Sequence, residues 1–180
     1  MSNTSVGISE LKMLLASISG VRASDCDFFI YKNYCYEKND LRRMKKILVL
    51  CTGNSCRSQV AEGYLKQFAG DKAEVYSAGV ETHGVNAKAI EIMKEYNIDI
   101  SKHTSNNVNE YSHIDFDYVI TVCDNARERC PYLPIKAKKF HHNFPDPAKV
   151  QGTEEEIMQQ FRAVRNMIKE YIRKFVAENL

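Results

Sequence analysis

The sequence predicts an α/β fold in which helices cover both faces of a parallel, four-stranded sheet. From Met44 onward, short apolar runs typical of buried strands alternate with stretches whose apolar residues recur at helical spacing. Such alternation is typical of a parallel sheet covered by helices on both faces. The 180 residues, 44% hydrophobic and 27% charged, have a globular composition and suffice for one domain plus an extension.

Four stretches are predicted as strands, and these are 45–51, 73–78, 116–123 and 137–142. The first contains the apolar run from Ile47 to Leu50 and ends in Cys51. The third (FDYVITVC) is equally apolar and also ends in a cysteine, Cys123. Because sites in parallel sheets lie at the carboxyl ends of strands, the two cysteines are expected to come close together.

The segments between the strands are predicted as helices. The first helix begins near Arg57 and ends at Gly70. Its buried face is expected to consist of Val60, Ala61, Tyr64, Leu65 and Phe68. Asn86 can cap the second helix. The apolar residues of that helix are Ile90, Met93 and Tyr96. A short helix is predicted at 124–130, where Pro131 stops it.

The last helix has the clearest sequence signals. Thr153 and Glu156 form a capping box at its start. Its apolar residues repeat at helical spacing and are Ile157, Phe161, Val164, Ile168, Ile172 and Phe175. Acidic residues open the helix and Lys/Arg residues close it, as the helix dipole favours.

Charge and composition argue against several classes of protein. The net charge of +2 gives no basis for binding nucleic acid or a membrane surface, and no run is apolar enough to span a bilayer. Glu10 and Lys12 interrupt the apolar stretch near the start, so no signal peptide is predicted and a cytoplasmic location is expected. There, six cysteines favour catalysis or redox chemistry, and their spacing fits no zinc-binding pattern.

Residues 1–43 are predicted to be an N-terminal extension of unknown role, preceding a domain at 44–180. Apolar residues at helical spacing in this extension are Ile8, Leu11, Leu15 and Ile18. One interpretation is a dispensable extension or an upstream-shifted start. The other is a docking segment, or an additional redox pair formed by Cys26 and Cys35.

The segment that follows the first strand (CTGNSCRS) is predicted to bind an oxyanion. Backbone N–H groups of a turn and of a helix start would point at a shared anion. The residues of this loop are Thr52, Gly53, Asn54, Ser55, Cys56, Arg57 and Ser58. The Arg57 guanidinium would match a tetrahedral oxyanion, and the same field would lower the pKa of the Cys51 thiol. The alternative is a buried Cys51 and a surface Arg57 that form no site.

A carboxylate, Asp146, lies between Pro145 and Pro147 in a stiff loop. One interpretation is an aspartate that forms the turn. The other is a general acid that protonates a departing oxygen.

Five short motifs occur in order along the chain. They are CTGNSCRS at 51–58, AEG at 61–63, SAGVETHGVNAKAI at 77–90, TVC to CP at 121–131 and DPA at 146–148. Together they resemble the thioredoxin-coupled arsenate reductases, which have the low-molecular-weight protein tyrosine phosphatase fold. The resemblance covers residues 44–178 and none of residues 1–43.

The resemblance implies a role for each residue of the predicted site. Cys51 would be the nucleophile, Arg57 would bind the oxyanion, and the Ser58 hydroxyl would support the Cys51 thiolate. Asp146 would be the general acid. Cys56 is interpreted as a small buried filler.

The resemblance also implies a relay of three thiols. Cys51 would form an adduct with arsenate, Cys123 would attack Cys51 as arsenite leaves, and Cys130 would attack Cys123. The successive disulfides would be Cys51–Cys123 and Cys123–Cys130, and thioredoxin would reduce the second. The implied function is arsenate reduction in arsenic detoxification, by a monomer whose partners are arsenate and thioredoxin.

Spacing adds a physical expectation about this relay. Cys123 and Cys130 are seven residues apart, so an intact helix would hold them roughly 10 Å apart. A disulfide needs Cα atoms within about 7 Å. Oxidation is therefore expected to unwind the segment 124–129.

Two rival functions remain open at this stage. A tyrosine phosphatase of the same fold needs only the first thiol. Such phosphatases carry an aromatic residue where this chain has Ala148 after Asp-Pro. The second rival is a redox-sensing or arsenical-binding module that uses the same thiols without turnover.

The resemblance further implies a potassium ion near the loop. Asn54, Glu62 and Ser77 match its ligands, whereas Asn106 stands where an aspartate is expected. Three histidines are expected to be merely solvated or hydrogen-bonded, and these are His103, His141 and His142.

Overall fold

The computed structural model describes residues 43–125 and 136–180. The strands are β1 (Lys45–Cys51), β2 (Ala73–Gly79), β3 (Tyr118–Thr121) and β4 (Lys138–His141). The helices are α1 (Arg57–Ala69), α2 (Ala87–Lys94) and α3 (Glu154–Asn179), with 3₁₀ helices at Gly70–Lys72, Val108–Tyr111 and Pro147–Lys149. Most of the predicted extension and residues 126–130 of the predicted short helix lie outside the described ranges. Within those ranges, no helix is long and apolar enough to cross a membrane.

The four strands form one parallel sheet in the order β2-β1-β3-β4. At the carboxyl edge, Cys51 lies opposite Gly79 of β2, and Thr121 of β3 lies opposite His141 of β4. The segments that follow β1, β3 and β4 therefore leave the sheet along the same edge. The predicted fold class is confirmed.

Each face of the sheet has its own apolar core, because successive residues of a strand point to opposite faces. The three α-helices pack on one face, where the buried residues include Ile47, Val49, Val60, Leu65, Ile92, Ile120, Phe161 and Ile168. The 3₁₀ helix Val108–Tyr111 contributes to the other face, where the buried residues are Leu48, Leu50, Ala78, Val108, Phe116, Val119 and Ala137. The two cores hold the carboxyl edge of the sheet in place.

The third strand is shorter than predicted. It ends at Thr121, so Cys123 lies two residues beyond its end rather than at it. The backbone nevertheless remains tied to β1, because Val122 N donates to Leu50 O at 3.0 Å. Cys123 is therefore still held at the carboxyl edge.

The second helix is also shorter than the sequence pattern indicates. Tyr96, predicted on its apolar face, lies beyond the helix end and is 37% exposed. Its ring packs under the cationic groups of Arg165 and Lys169, each 4.3 Å from the ring centroid. Ile92 and Met93 are the buried residues near the end of this helix. Asn86 caps its start as predicted, accepting from the N–H groups of the second and third helical residues.

The capping box of Thr153 and Glu156 is confirmed at the start of α3. The expectation that basic residues close this helix is wrong, because its last turn contains none. Instead Asn179 Nδ2 donates to Phe175 O at 2.9 Å. A neutral amide thus satisfies one of the carbonyls that a helix end leaves open.

Candidate active site

The loop between β1 and α1 is tied to the segment that follows β2. The carbonyls of Thr52, Gly53 and Ser55 accept hydrogen bonds of 2.9, 3.0 and 2.9 Å from the backbone N–H groups of Glu81, His83 and Asn86. These bonds engage carbonyl oxygens that would otherwise repel an anion. The close approach requires Gly79, since a Cβ there would lie 2.3 Å from Glu81 O and 2.7 Å from Thr52 O.

Asn54 organises the loop from within. It is fully buried and has a φ of 44°, a left-handed conformation that asparagine tolerates better than most residues. Its Nδ2 donates to Ser58 Oγ at 3.1 Å and to Ser77 Oγ at 2.8 Å. The side chain thereby links the loop, the start of α1 and β2.

The pKa of the Cys51 thiol lies well below its usual value, although the side chain is buried. The largest cause is a hydrogen bond from the Cys123 side chain, which outweighs the opposing effect of burial. The Ser58 hydroxyl, the Arg57 charge and the Gly53 backbone lower the pKa further. Cys51 is therefore set up as a thiolate, the nucleophilic form of cysteine.

Cys56 lies in the same loop but has the opposite character. Burial raises the pKa of its thiol to about 12, and the nearby Cys51 contributes to the rise. At neutral pH it is a protonated, buried thiol. This environment fits the predicted role of a filler.

Arg57 and Asp146 form an ion pair at the mouth of the site. Arg57 Nη2 donates to Asp146 Oδ2 at 2.9 Å, and Nη1 donates to Phe144 O at 2.9 Å. Asp146 Oδ1 also accepts from Ala148 N at 3.2 Å and so caps the 3₁₀ helix Pro147–Lys149. Asp146 therefore forms the turn, as the first interpretation of this residue predicts, and it also faces the guanidinium; its role as a general acid stays a prediction.

An open cavity of about 550 Å³ brings the predicted residues together. Its lining includes Cys51, Arg57, Cys123 and Asp146, which come from three different segments of the chain. Further lining residues that the sequence analysis did not single out are His83, Asp124, Asn125, Asn143 and Lys149. Cys130 lies outside the described residues.

Cys123 approaches the loop from the end of β3. Besides its hydrogen bond to Cys51, its Sγ lies 3.4 Å from Thr52 Oγ1. Cys123 is buried, and both cysteines are thiols rather than a disulfide. From this position Cys123 can attack the Cys51 sulfur once that sulfur carries a group that can leave.

Gln59, which sequence reasoning missed, supports the loop together with His103, which was predicted to be solvated or hydrogen-bonded. Gln59 Nε2 donates to Asn54 Oδ1 at 3.1 Å and to Thr104 O at 2.9 Å. His103 Nδ1 lies 3.0 Å from Gln59 Oε1, and since an amide oxygen only accepts, Nδ1 carries the proton. Burial lowers the pKa of His103. A polar residue in the first turn of a buried helix was the available sequence signal for Gln59.

The residues implied to hold potassium already have protein partners. Glu62 accepts from Ser77 Oγ at 2.6 Å through Oε2 and from Lys66 Nζ at 2.5 Å through Oε1. Asn54 Oδ1 accepts from Gln59 and from Asn106 N. These contacts do not fit a potassium site, because an ammonium already neutralises the one carboxylate. No group of three or more His, Cys, Asp or Glu residues in 43–125 and 136–180 could hold a metal ion.

The order of the strands and the position of the loop together indicate the class of protein to which the chain belongs. A parallel sheet of order β2-β1-β3-β4, with a Cys-x5-Arg loop between β1 and α1, is the architecture of the phosphatase-like proteins anticipated from the motifs. The chain belongs to the low molecular weight phosphotyrosine protein phosphatase family, whose model matches residues 46–180.

The chain is similar in sequence and in structure to proteins that are named arsenate reductases. The arsenate reductase of Bacillus subtilis (strain 168) is 48% identical over 131 residues, which are 73% of this chain and 94% of that protein. A solved arsenate reductase in the phosphate binding state aligns with a TM-score of 0.62 and 33% identity, covering 75% of this chain and 98% of that one. One in the oxidized state aligns with a TM-score of 0.65 and 32% identity over the same shares. The resemblance inferred from the motifs is confirmed.

Proposed function

We propose that this protein reduces arsenate to arsenite by a relay of three cysteine thiols, with thioredoxin as the final reductant. One observation carries the proposal: Cys51 and Cys123 are both buried against the same cavity, and the Cys123 side chain is the largest cause of the lowered pKa of Cys51. Hydrolysis of a phosphate ester needs only one of these thiols. The similarity to proteins named arsenate reductases supports the same conclusion.

Arsenate would bind to the loop N–H groups and to Arg57. The Cys51 thiolate attacks arsenic, an S–As bond forms, and one arsenate oxygen leaves as water. Asp146 lines the cavity beside Arg57, and once arsenate replaces it as the partner of the guanidinium, a protonated Asp146 can deliver its proton to that oxygen. Its hydrogen bonds to Arg57 and Ala148 N hold the carboxyl at the cavity wall.

Reduction would occur in the second step. The Cys123 thiolate attacks the Cys51 sulfur, an S–S bond forms, and the S–As bond breaks. The electron pair of that bond stays on arsenic, which leaves as arsenite in the trivalent state. The two thiols have then supplied two electrons and become the Cys51–Cys123 disulfide.

Regeneration would require a third thiol and an external dithiol. Cys130 attacks the Cys123 sulfur, which restores the Cys51 thiolate and gives the Cys123–Cys130 disulfide. Thioredoxin reduces that disulfide by the same exchange chemistry and becomes oxidised. A cytoplasmic, monomeric enzyme fits this proposal, because the cytosol maintains thioredoxin in its reduced form.

A tyrosine phosphatase is the second candidate, favoured by the family to which the chain belongs. Ala148 lines the cavity where an aromatic residue would pack against an aryl phosphate. Fast arsenate turnover and slow aryl phosphate hydrolysis are therefore expected. Some hydrolysis is expected because phosphate and arsenate share their shape and charge.

The test is steady-state arsenate reduction with thioredoxin, thioredoxin reductase and NADPH. Separate Cys→Ser variants at 51, 123 and 130 should each lose turnover. Matched controls are Cys26→Ser and Cys35→Ser, which remove thiols of the extension and should retain it. Full turnover in all three relay variants would refute the mechanism, and fast aryl phosphate hydrolysis without arsenate turnover would establish the phosphatase.

A further inference from the structure

A chain of side-chain hydrogen bonds that does not include the reacting cysteines ends at Asp124, the residue after Cys123. Asp124 has both carboxylate oxygens bonded: Oδ1 lies 3.0 Å from His141 Nε2, and Oδ2 accepts from Asn143 Nδ2. His141 is the last residue of β4, and Asn143 follows two residues later. Two side chains from the end of a neighbouring strand thus hold the first residue of the segment that leads to Cys130.

The imidazole of His141 is itself anchored to the sheet. Its Nδ1 lies 2.7 Å from Oγ1 of Thr121, which is the residue opposite His141 in the β3–β4 register. Because the Asp124 carboxylate only accepts, Nε2 of His141 carries a proton. Thr121 Oγ1 also donates to Phe140 O at 3.3 Å, so this hydroxyl is bonded to both of the last two residues of β4. The contacts of Thr121, His141 and Asp124 therefore form a continuous chain that starts in the buried sheet.

This chain fixes Cys123 from its carboxyl side. On the amino side, Val122 N donates to Leu50 O at 3.0 Å and Phe144 N donates to Val122 O at 3.3 Å. With Val122 tied to the sheet and Asp124 tied to β4, the intervening residue has little freedom to move. Its Sγ lies 3.4 Å from Thr52 Oγ1, and Cys123 lines the same cavity as Cys51.

We propose that His141, assisted by Asn143, is a positioning residue for Cys123: by holding the Asp124 carboxylate, it keeps the Cys123 thiol in hydrogen-bond contact with Cys51. The proposal rests on the proposed function in assigning Cys123 the attack on Cys51. The contact itself exists independently of any substrate.

The position of His141 makes this role separable from substrate binding. Asp124 and Asn143 line the cavity, whereas His141 does not. Substitution of His141 therefore leaves the loop, Arg57 and Asp146 in place. It acts on the thiols only through Asp124.

The test measures alkylation of Cys51 by iodoacetamide as a function of pH, followed by peptide mass spectrometry, in the full chain without substrate. In His141→Ala the Cys123 hydrogen bond is weakened, so the alkylation midpoint should rise by about one pH unit. His141→Gln retains a side-chain donor and should restore much of the wild-type midpoint. Single-turnover formation of the Cys51–Cys123 disulfide with arsenate should slow about tenfold in His141→Ala.

A double-mutant cycle with Cys123→Ala separates positioning from direct electrostatics. Releasing Asp124 also frees a negative charge near the cavity, which could raise the Cys51 midpoint by itself. If His141 acts through Cys123, adding His141→Ala to Cys123→Ala shifts the midpoint no further. An equal shift in both backgrounds would overturn the proposal.

Two other results would also overturn it: an unchanged midpoint in His141→Ala, or a shift that His141→Gln fails to reduce. If His141→Ala does not fold, Asn143→Ala removes the other donor to Asp124 and should raise the midpoint in the same direction. The alkylation assay needs no arsenate turnover. A failure of the proposed function would therefore appear as absent arsenite with the midpoint shift still present.

Discussion

Removal of the Ser58 hydroxyl should make the Cys51 thiol less acidic. Ser58 is fully buried, and its hydroxyl forms one of the hydrogen bonds that lower the pKa of Cys51. The thiolate is the charged form, so loss of a donor destabilises it and raises the pKa. A hydrogen bond to a charged group contributes about 1.5–3 kcal/mol, and one pKa unit corresponds to about 1.4 kcal/mol. Ser58→Ala should therefore raise the pKa of Cys51 by about one to two units.

The assay is the pH dependence of Cys51 alkylation, read at the peptide level. The order of effects is as informative as their size: Cys123→Ala should raise the midpoint more than Ser58→Ala, because Cys123 supplies the largest stabilising contribution. Ser112→Ala, at an exposed position remote in sequence from the loop, is the control and should have no effect. An unchanged midpoint in Ser58→Ala, or a larger rise than in Cys123→Ala, would refute this account of the thiolate.

Three further predictions follow from the same contacts. Arg57→Lys keeps the charge but loses the fork that holds both Asp146 and Phe144 O, so kcat/KM for arsenate should fall by about a hundredfold in the steady-state assay. Potassium should raise the Tm of the wild type no more than sodium does, because the Lys66 ammonium already forms an ion pair with the Glu62 carboxylate. A rise in Tm that is specific to potassium would contradict this. Phe161→Ala removes a fully buried ring and should cost about 3–5 kcal/mol in urea unfolding.

The sequence was sufficient for the framework of the site but not for its supporting contacts. Apolar runs and cap signals locate β1 and α1, so Cys51 and Arg57 are expected at the two ends of the loop that joins them. The approach of Cys123 followed from the rule that parallel strands share one carboxyl edge. The two-residue offset of Cys123 from the strand end could not be predicted, because the sequence does not show that the pairing of β3 with β1 and β4 stops at Thr121.

The contacts that sequence reasoning missed join residues far apart in the chain. His103 and Gln59 are separated by 44 positions, and His141 and Asp124 by 17. The second pair depends on β4 lying beside β3, and the residue types alone do not determine that order. The sequence therefore predicted only that His141 is solvated or hydrogen-bonded, and the strand order identifies its partners.

The central claim is that Cys123 attacks the Cys51 sulfur and so releases arsenite. A single-turnover experiment with a Cys130→Ser variant tests this claim most directly. Arsenate is added to the reduced variant without thioredoxin, and the products are counted by arsenite assay and disulfide mapping. The account predicts one arsenite per protein and a trapped Cys51–Cys123 disulfide. Arsenite release without that disulfide, or no arsenite at all, would contradict it.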